Sequence, residues 1–284
     1  MGDGDNVIHT KSVGAAAEGV RDQYADGKAA KVWEIFIGDK RSRTDRYRNF
    51  LVGLLKQHGC KKILDVACGT GIDSVMLLEE GFDVTSVDAS DKMLKYALKT
   101  RWERRKEPAF DNWVIEEANW LTLSDDIAPM LKQGGFDAVI CLGNSFAHMM
   151  DSYGDQREQK QAMRNFEKCV KKGGLLLIDH RNYDHIISSG STPAKCLYYN
   201  STHTADIKTS VLLVGGKPAL VSLDYMIDTS DGKSGNKNDI SEFRLSYYPH
   251  RLSVFKQMLV DTFGNSANHT IYGDFKPIDT IENP

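Results

Sequence analysis

Two glycines and an acid are spaced to receive a nucleoside. Gly69 and Gly71 follow the apolar run Ile63-Leu64-Asp65-Val66-Ala67-Cys68, and a helical pattern begins directly after them at Ile72. Lacking side chains, both glycines reach backbone angles closed to other residues and let a ligand lie against bare main chain. Asp88 ends the next apolar run, Val84-Thr85-Ser86-Val87, where a carboxylate is placed to accept hydrogen bonds from ribose hydroxyls. A tight strand-to-helix turn would use the same glycines, so the residues around them have to decide.

Position 74 discriminates between cofactors. A dinucleotide fingerprint needs a third glycine there, and this chain has Ser74. With Asp65 just ahead of the turn, the two-glycine pattern fits S-adenosylmethionine, which has no pyrophosphate to cradle. Such a site must hold an adenine, a ribose, an amino-acid end and a reactive methyl. Asn119-Trp120 stand where an amide and a ring face the adenine, although Trp120 would serve equally as core. Arg43 is either a bidentate partner for the cofactor carboxylate or a surface charge. The run Cys141-Leu142-Gly143-Asn144 brings a glycine and an amide to the place where the methyl should point. His148, four residues on, is either a hydrogen-bonded structural residue or a general base. Arg181, in Asp179-His180-Arg181-Asn182-Tyr183, wants an anion: a substrate carboxylate, or Asp179 itself. Tyr198, Tyr199, Tyr225, Tyr247 and Tyr248 crowd the later part of the chain, with Tyr24 and Tyr183 elsewhere. They either pack strands or surround a sulfonium methyl and a small polar substrate.

To meet in one crevice, these residues need a sheet that ends them all on one side. Strand patterns at 62–67, 83–88, 113–117, 136–142 and 174–180 alternate with helical patterns at 72–80, 92–104 and 156–170, with Gly81 and Gly173 as stop signals. That alternation predicts an α/β, doubly wound, mostly parallel sheet, with Gly69, Asp88, Asn119 and Asn144 at the carboxyl ends of strands. After residue 183 the period becomes two. A hairpin over 207–214 and 219–227 with a loop of about four residues, plus a strand at 242–248, reads as a small antiparallel lid, with a polar loop at 231–238. A helix over 250–263 and a last strand over 270–275 close the chain. Helices over 26–37 and 43–57 precede the core, behind a small-residue arm at 14–19. The organisation expected is an arm and cap helices (1–58), a cofactor-binding core (59–183), a lid and substrate subdomain (184–249) and a C-terminal return (250–284).

Composition narrows the class. The chain of 284 residues is 41% hydrophobic, carries 36 basic and 39 acidic residues, and suits one large domain with an insertion. The basic stretch Arg101–Lys106 is interrupted by Glu103, a solvated helix face and not a nucleic-acid surface. Cys60, Cys68, Cys141, Cys169 and Cys196 form no C-x-x-C pair and read as reduced, mostly buried thiols, with no metal. No apolar run approaches the roughly 18 residues of a membrane helix, and the acidic start Met1-Gly2-Asp3-Gly4-Asp5 is not a signal peptide. Asn6 removes the myristoylation pattern. A soluble cytoplasmic protein without membrane or nucleic-acid partners is expected.

Longer blocks carry a resemblance over residues 12–277. They are Ala15-Ala16-Ala17-Glu18-Gly19, Asp22-Gln23-Tyr24-Ala25-Asp26-Gly27, Leu64 to Gly71, Val87 to Leu94, Glu117-Ala118-Asn119-Trp120, Leu142 to His148, Asp179 to His185 and Phe243 to His250. In these the chain resembles the animal glycine N-methyltransferase family, of the class I, Rossmann-like fold. The resemblance implies methyl transfer from S-adenosylmethionine to glycine, giving sarcosine and S-adenosylhomocysteine and so regulating the ratio of the two cofactor forms. It implies cofactor contacts by Tyr24, Trp33, Arg43, Ala67, Asp88, Asn119, Trp120, Leu142 and His148, beside the Gly69 turn. It gives the glycine carboxylate to Arg181, with Asn144 and Tyr225 at the amine and carboxylate, and Tyr199 and Tyr247 in the pocket. It further implies a homotetramer in which the arm carrying Glu18 enters a neighbour's site, and inhibition by a methylated folate. Two departures stand out: Phe36 replaces a pocket tyrosine, and the chain ends at Pro284 where relatives continue into a final sheet strand, leaving an edge exposed. Two rival expectations follow: methylation of sarcosine or another small amine, and a low-turnover cofactor- and folate-binding protein.

Overall fold

A computed structural model describes residues 43–132, 134–193, 198, 204–228 and 240–278. The arm, the 26–37 helix, Tyr24, Trp33, Phe36, Cys196, Tyr199, the 231–238 loop and the chain's end lie outside the described residues.

Five strands form the central sheet: β1 (Lys62–Asp65), β2 (Asp83–Asp88), β3 (Val114–Glu117), β4 (Phe136–Cys141) and β5 (Val170–Ile178). Their order is β3-β2-β1-β4-β5, and every pairing is parallel. The order reverses between β1 and β4, which opens a crevice at their carboxyl ends. The central strands β1 and β4 are largely apolar because their residues serve two buried faces, whereas β3 ends in exposed Glu116 and Glu117 and β5 carries exposed Lys172, Gly173 and Gly174 near its start. Ile63, Ala138 and Ile140 join the face covered by helices α1 (Asp45–Gln57) and α2 (Ile72–Glu79). Leu64, Val139 and Cys141 join the opposite face, covered by α7 (Arg157–Cys169) and α9 (Leu252–Phe263). Between these helices in chain order lie α3 (Asp91–Glu103), the single turns α4 (Pro108–Asp111), α5 (Leu123–Asp126) and α6 (Ala128–Leu131), and α8 (Tyr183–Ser189).

Local chemistry explains the helix ends. Thr44 caps α1 by accepting from the Tyr47 amide, and Asn182 caps α8 by accepting from His185. Asp184 accepts from the Leu252 amide and from Arg251, fastening the start of α9 to α8. In α7, Ala162, Met163, Phe166 and Cys169 are buried at helical spacing.

The lid is a three-stranded antiparallel sheet, β6 (Thr204–Val214), β7 (Lys217–Asp228) and β8 (Ile240–Tyr247), in the order β6-β7-β8. Alternate residues Val221, Leu223, Tyr225 and Ile227 face Tyr183, Ile186 and Ala147 at the rim of the crevice.

Several expected boundaries change. The helix before β5 ends at Cys169, one residue short of the expected 170, but the strand begins at Val170 and not at 174, running on through both glycines with a register shift against β4 between Phe136 and Ala138. A Cβ at Gly174 would stand 2.8 Å from the Asp137 carbonyl oxygen, so glycine lets the two strands close. The hairpin loop has two residues, Gly215 and Gly216, both left-handed, so Lys217 and Pro218 belong to β7. The expected last strand at 270–275 shrinks to β9 (Tyr272–Gly273), which pairs with β10 (Lys276–Pro277) in a small hairpin outside the main sheet. Asp274 and Phe275 turn it in left-handed conformations, and the Phe275 ring packs on Tyr47 and Phe50.

Gly71 heads α2 with φ +86°, and an added Cβ would meet the Trp113 ring at 2.8 Å and Ala97 at 3.0 Å. Gly81 has the same φ but open space around it. Gly71→Ala should lower unfolding free energy by about 2–4 kcal/mol, from backbone strain plus overpacking, against about 1 kcal/mol for Gly81→Ala. Urea denaturation measures both, and equal losses would refute the packing account of Gly71.

Candidate active site

Carboxylates at strand ends hold the loops of the crevice. Asp88, closing β2, accepts from the Gly69 amide at 2.8 Å and from the Ser90 amide at 2.9 Å. The Gly69 turn is thereby fixed to the neighbouring strand, with the acid beside bare backbone. Asp65 plays a different part from the one its position suggests. It is buried and accepts from Ser74 Oγ at 2.7 Å; Ser74 accepts from Ser86, and Ser86 from the Trp113 indole N–H at 2.8 Å. Ser74, the residue that breaks the dinucleotide pattern, satisfies one oxygen of this buried acid, and the Ala67 amide donates to the other at 3.3 Å. Burial raises the Asp65 pKa to about 7 despite that bond.

Beyond β4 the chain takes two successive left-handed residues, Gly143 (φ 72°) and Asn144 (φ 59°). Such a conformation in a residue other than glycine costs about 1 kcal/mol or more and persists only where its surroundings impose it. Here Asp179, just past β5, accepts from the Gly143 amide at 3.0 Å and the Asn144 amide at 2.6 Å. Asn144 answers with its side chain: Oδ1 accepts from the Arg181 amide at 3.0 Å, and Nδ2 donates to the Tyr183 hydroxyl at 2.9 Å. The salt bridge between Arg181 and Asp179 is not the observed arrangement. Arg181 instead donates through Nη2 to the Tyr225 hydroxyl at 3.1 Å, and Tyr225 lies 3.3 Å from the Tyr247 hydroxyl.

The expected cofactor residues Arg43, Ala67, Gly69, Asp88, Asn119, Trp120, Leu142 and His148 line one continuous crevice, which Asn144, Arg181 and Tyr247 share. Tyr225 is fully buried and meets this group through Arg181. Some of the residues are engaged differently from expectation. Arg43 grips Asp73 at two points, 2.9 and 2.6 Å, with both side chains largely buried. The Trp120 indole N–H donates to the Val66 carbonyl, and its ring stacks on Phe146, so the side chain belongs to the core with one edge at the crevice. Asn165 holds the loop below it by donating to the Trp120 and Leu121 carbonyls. Desolvation, aided by Arg181, lowers the His148 pKa to about 4, which makes the ring a weak base.

Among the described residues no group of His, Cys, Asp and Glu suits a metal ion, and no helix is long and apolar enough to cross a membrane. Cys60, Cys68, Cys141 and Cys169 are buried free thiols.

A family model described as a methyltransferase domain matches residues 57–230. The glycine N-methyltransferase of Homo sapiens is 60% identical over 274 residues, 96% of this chain and 92% of that protein. The chain belongs to the glycine N-methyltransferase family. The Rattus norvegicus member is likewise 60% identical over 274 residues, and the glycine/sarcosine N-methyltransferase of Parasynechococcus marenigrum is 40% identical over 159 residues, 56% of this chain and 51% of that one. An S-adenosylmethionine-dependent methyltransferase from Clostridium acetobutylicum shares the fold at a TM-score of 0.55 and 16% identity, covering 82% of this chain and 85% of its own.

The sequence left Asp73 and Asn165 without a site role, read Asp179 only as an alternative partner for Arg181, and gave Tyr183 only a place among the tyrosines that pack strands or surround the substrate. Asp179 had a readable signal, since it follows β5 as Asp88 closes β2. Asp73 and Asn165 act on partners 30 and 45 residues away, which spacing alone does not connect.

Behind Arg181 sits an aromatic cluster. His180 Nδ1 lies 2.9 Å from the Arg181 carbonyl, and His250 is 1% exposed, its ring 5.3 Å from that of His180. Among the described residues, neither ring nitrogen of His250, nor Nε2 of His180, has a hydrogen-bond partner. Desolvation lowers His180 to about 4 and His250 to about 3. Histidines so depressed take protons more readily in the unfolded chain, so their effect is to lower stability as pH falls from about 6.5 towards 4. Asp65 and Asp179, raised mainly by desolvation to about 7 and about 6, act oppositely; their contribution is present at low pH and lost as pH rises through those values. His250→Phe should shift the slope of unfolding free energy against pH, between pH 6.5 and 4, in the negative direction by up to about 1.4 kcal/mol per unit, because one group that makes stability rise with pH is lost. Urea unfolding across that range tests this, and coincident slopes would contradict it.

Proposed function

We propose that the crevice binds S-adenosylmethionine along the ends of β1, β2 and β4 and presents its methyl group to glycine held by Arg181, Asn144 and the lid tyrosines. The observation that carries this reading is the Arg181 guanidinium, at the rim of the sheet, joined to Tyr225 of the lid. A crevice-facing guanidinium supported by a hydroxyl suits a small carboxylate through charge-assisted bonds.

The residues present fit the methyl donor. Gly69 offers backbone without a side chain, and an added Cβ would press on Met93 at 3.1 Å. Asp88 stands beside it to accept from ribose hydroxyls, with Asn119 and the edge of Trp120 next along the wall. Arg43, held by Asp73, is the candidate for the amino-acid carboxylate, and Ala67, Leu142 and His148 line the remaining space. Tyr247 lines the same space, and the assignment of Tyr24, Trp33 and Tyr199 to the pocket rests on family membership alone. When bound, S-adenosylmethionine supplies a methyl group whose transfer to an amine breaks the carbon–sulfur bond and leaves the electron pair on a neutral thioether. No general acid is then required, and His148, with its depressed pKa, is not asked to be a base. Arg181 fixes the carboxylate, Asn144 and the tyrosine hydroxyls fix the amine end, and glycine reacts as the neutral amine, its ammonium proton having passed to solvent before the nitrogen–carbon bond forms. Holding the reacting atoms in line is a class of effect that reaches effective molarities of about 10⁵ to 10⁸ M.

Homotetrameric assembly, inhibition by a methylated folate and a cytoplasmic location are parts of this proposal that rest on family membership. Sarcosine formation from S-adenosylmethionine and glycine by the purified chain, with sarcosine and other amines as parallel acceptors, tests the whole. Arg181→Ala should raise the glycine KM about 10- to 100-fold, the worth of a charge-assisted pair. An unchanged apparent affinity for glycine would remove Arg181 from the assignment.

A further inference from the structure

We propose that Asp179 is a positioning residue for the acceptor end of the site, acting through Asn144 and with Tyr183 as its second support. The inference rests on the glycine-methylating reading above.

The amides of Gly143 and Asn144, with both residues left-handed, point the same way and form a small concave pair of donors, a shape that binds anions. In this chain the anion is internal, because the two Asp179 oxygens each take one amide. The bonding is reciprocal. Asp179's side chain fixes the 143–144 backbone, and the Asn144 side chain fixes the Arg181 backbone two residues beyond Asp179. The loops after β4 and β5 are therefore locked together by three hydrogen bonds. Tyr183 completes the lock, since its hydroxyl takes one Asn144 N–H and so sets which end of that amide faces Arg181. With Asn144 7% exposed and Tyr183 1% exposed, water cannot readily substitute for either bond. Arg181 then projects from a fixed backbone towards Tyr225. Neither Asp179 nor Tyr183 needs to touch glycine in this scheme; they decide where the groups that do touch it stand.

Asp179→Asn keeps the size of the side chain but offers a single acceptor and turns an NH₂ towards one of the two amides. Tyr183→Phe removes only the hydroxyl. Sarcosine formation by wild type and both variants should be measured against glycine concentration, with kcat normalised to the stoichiometry of S-adenosylmethionine binding by calorimetry. Asp179→Asn should raise the glycine KM about 10- to 100-fold and lower normalised kcat about tenfold, with cofactor affinity within about threefold of wild type. Tyr183→Phe should raise the glycine KM about 3- to 10-fold, as loss of one neutral hydrogen bond predicts. A merely structural role would reduce the binding-competent fraction and leave KM alone. Wild-type turnover with an unchanged glycine KM in Asp179→Asn overturns the inference while leaving the function intact. Should Asp179→Asn not fold, an unchanged KM in Tyr183→Phe overturns it instead. Absence of glycine turnover in wild type would overturn both, since no acceptor would remain to be positioned.

Discussion

The crevice depends on one recurring interaction: a carboxylate past the end of one strand holding the backbone amides that follow the strand beside it. Asp88 does this for the turn after β1, and Asp179 does it for the turn after β4. Because the strand order reverses between β1 and β4, the two carboxylates stand on strands to either side of that switch point, β2 beyond β1 and β5 beyond β4. Loops at such a place have no ladder partners for their amides, and charge-assisted bonds satisfy the donors without narrowing the space above them. A second acid, Asp65, lies beneath the first turn and is kept in place by a chain of hydroxyls that ends on Trp113.

The parallel sheet was legible in the sequence because its central strands are apolar on both faces, in runs such as Ile63-Leu64 and Val139-Ile140. The glycine turn, Asp88 and Arg181 were legible for a related reason: unusual residue types at strand ends stand out against apolar runs. Boundaries failed where a turn residue has more than one use. Gly173 and Gly174 stop a helix in many chains, but here they bring β5 close to β4. Thr270 to Phe275 alternates like a sheet strand, yet Asp274 and Phe275 turn back because the Phe275 ring finds Tyr47 and Phe50. The bonds that organise the site were mostly hidden, because pairs such as Arg43 with Asp73 and Asn165 with Trp120 join distant parts of the chain.

In the proposed reaction geometry matters more than proton transfer. Beside Arg181, desolvation holds His148 down at about 4, and Asp179 has both oxygens on amides. What varies is position, and position here is transmitted from β5 to Arg181, from Arg181 to Tyr225, and from Tyr225 across the lid to Tyr247. The lid and the sheet therefore report to each other through the same guanidinium that is proposed to hold the substrate. A substituent on the acceptor that displaced that guanidinium would be felt in both layers.

The pair of left-handed residues at 143 and 144 also bears on how the molecule breathes. Loops at the ends of strands usually open first, because their N–H groups face water and little apolar surface holds them down. These two N–H groups are instead anchored to a carboxylate whose own strand is hydrogen-bonded into the sheet, through Asp179 N to Cys141 O at 3.1 Å. Freeing them means disturbing the junction of β4 and β5, so their exchange with deuterium is tied to opening of the core. The mouth of the crevice thus combines the shape of a loop with the persistence of a sheet.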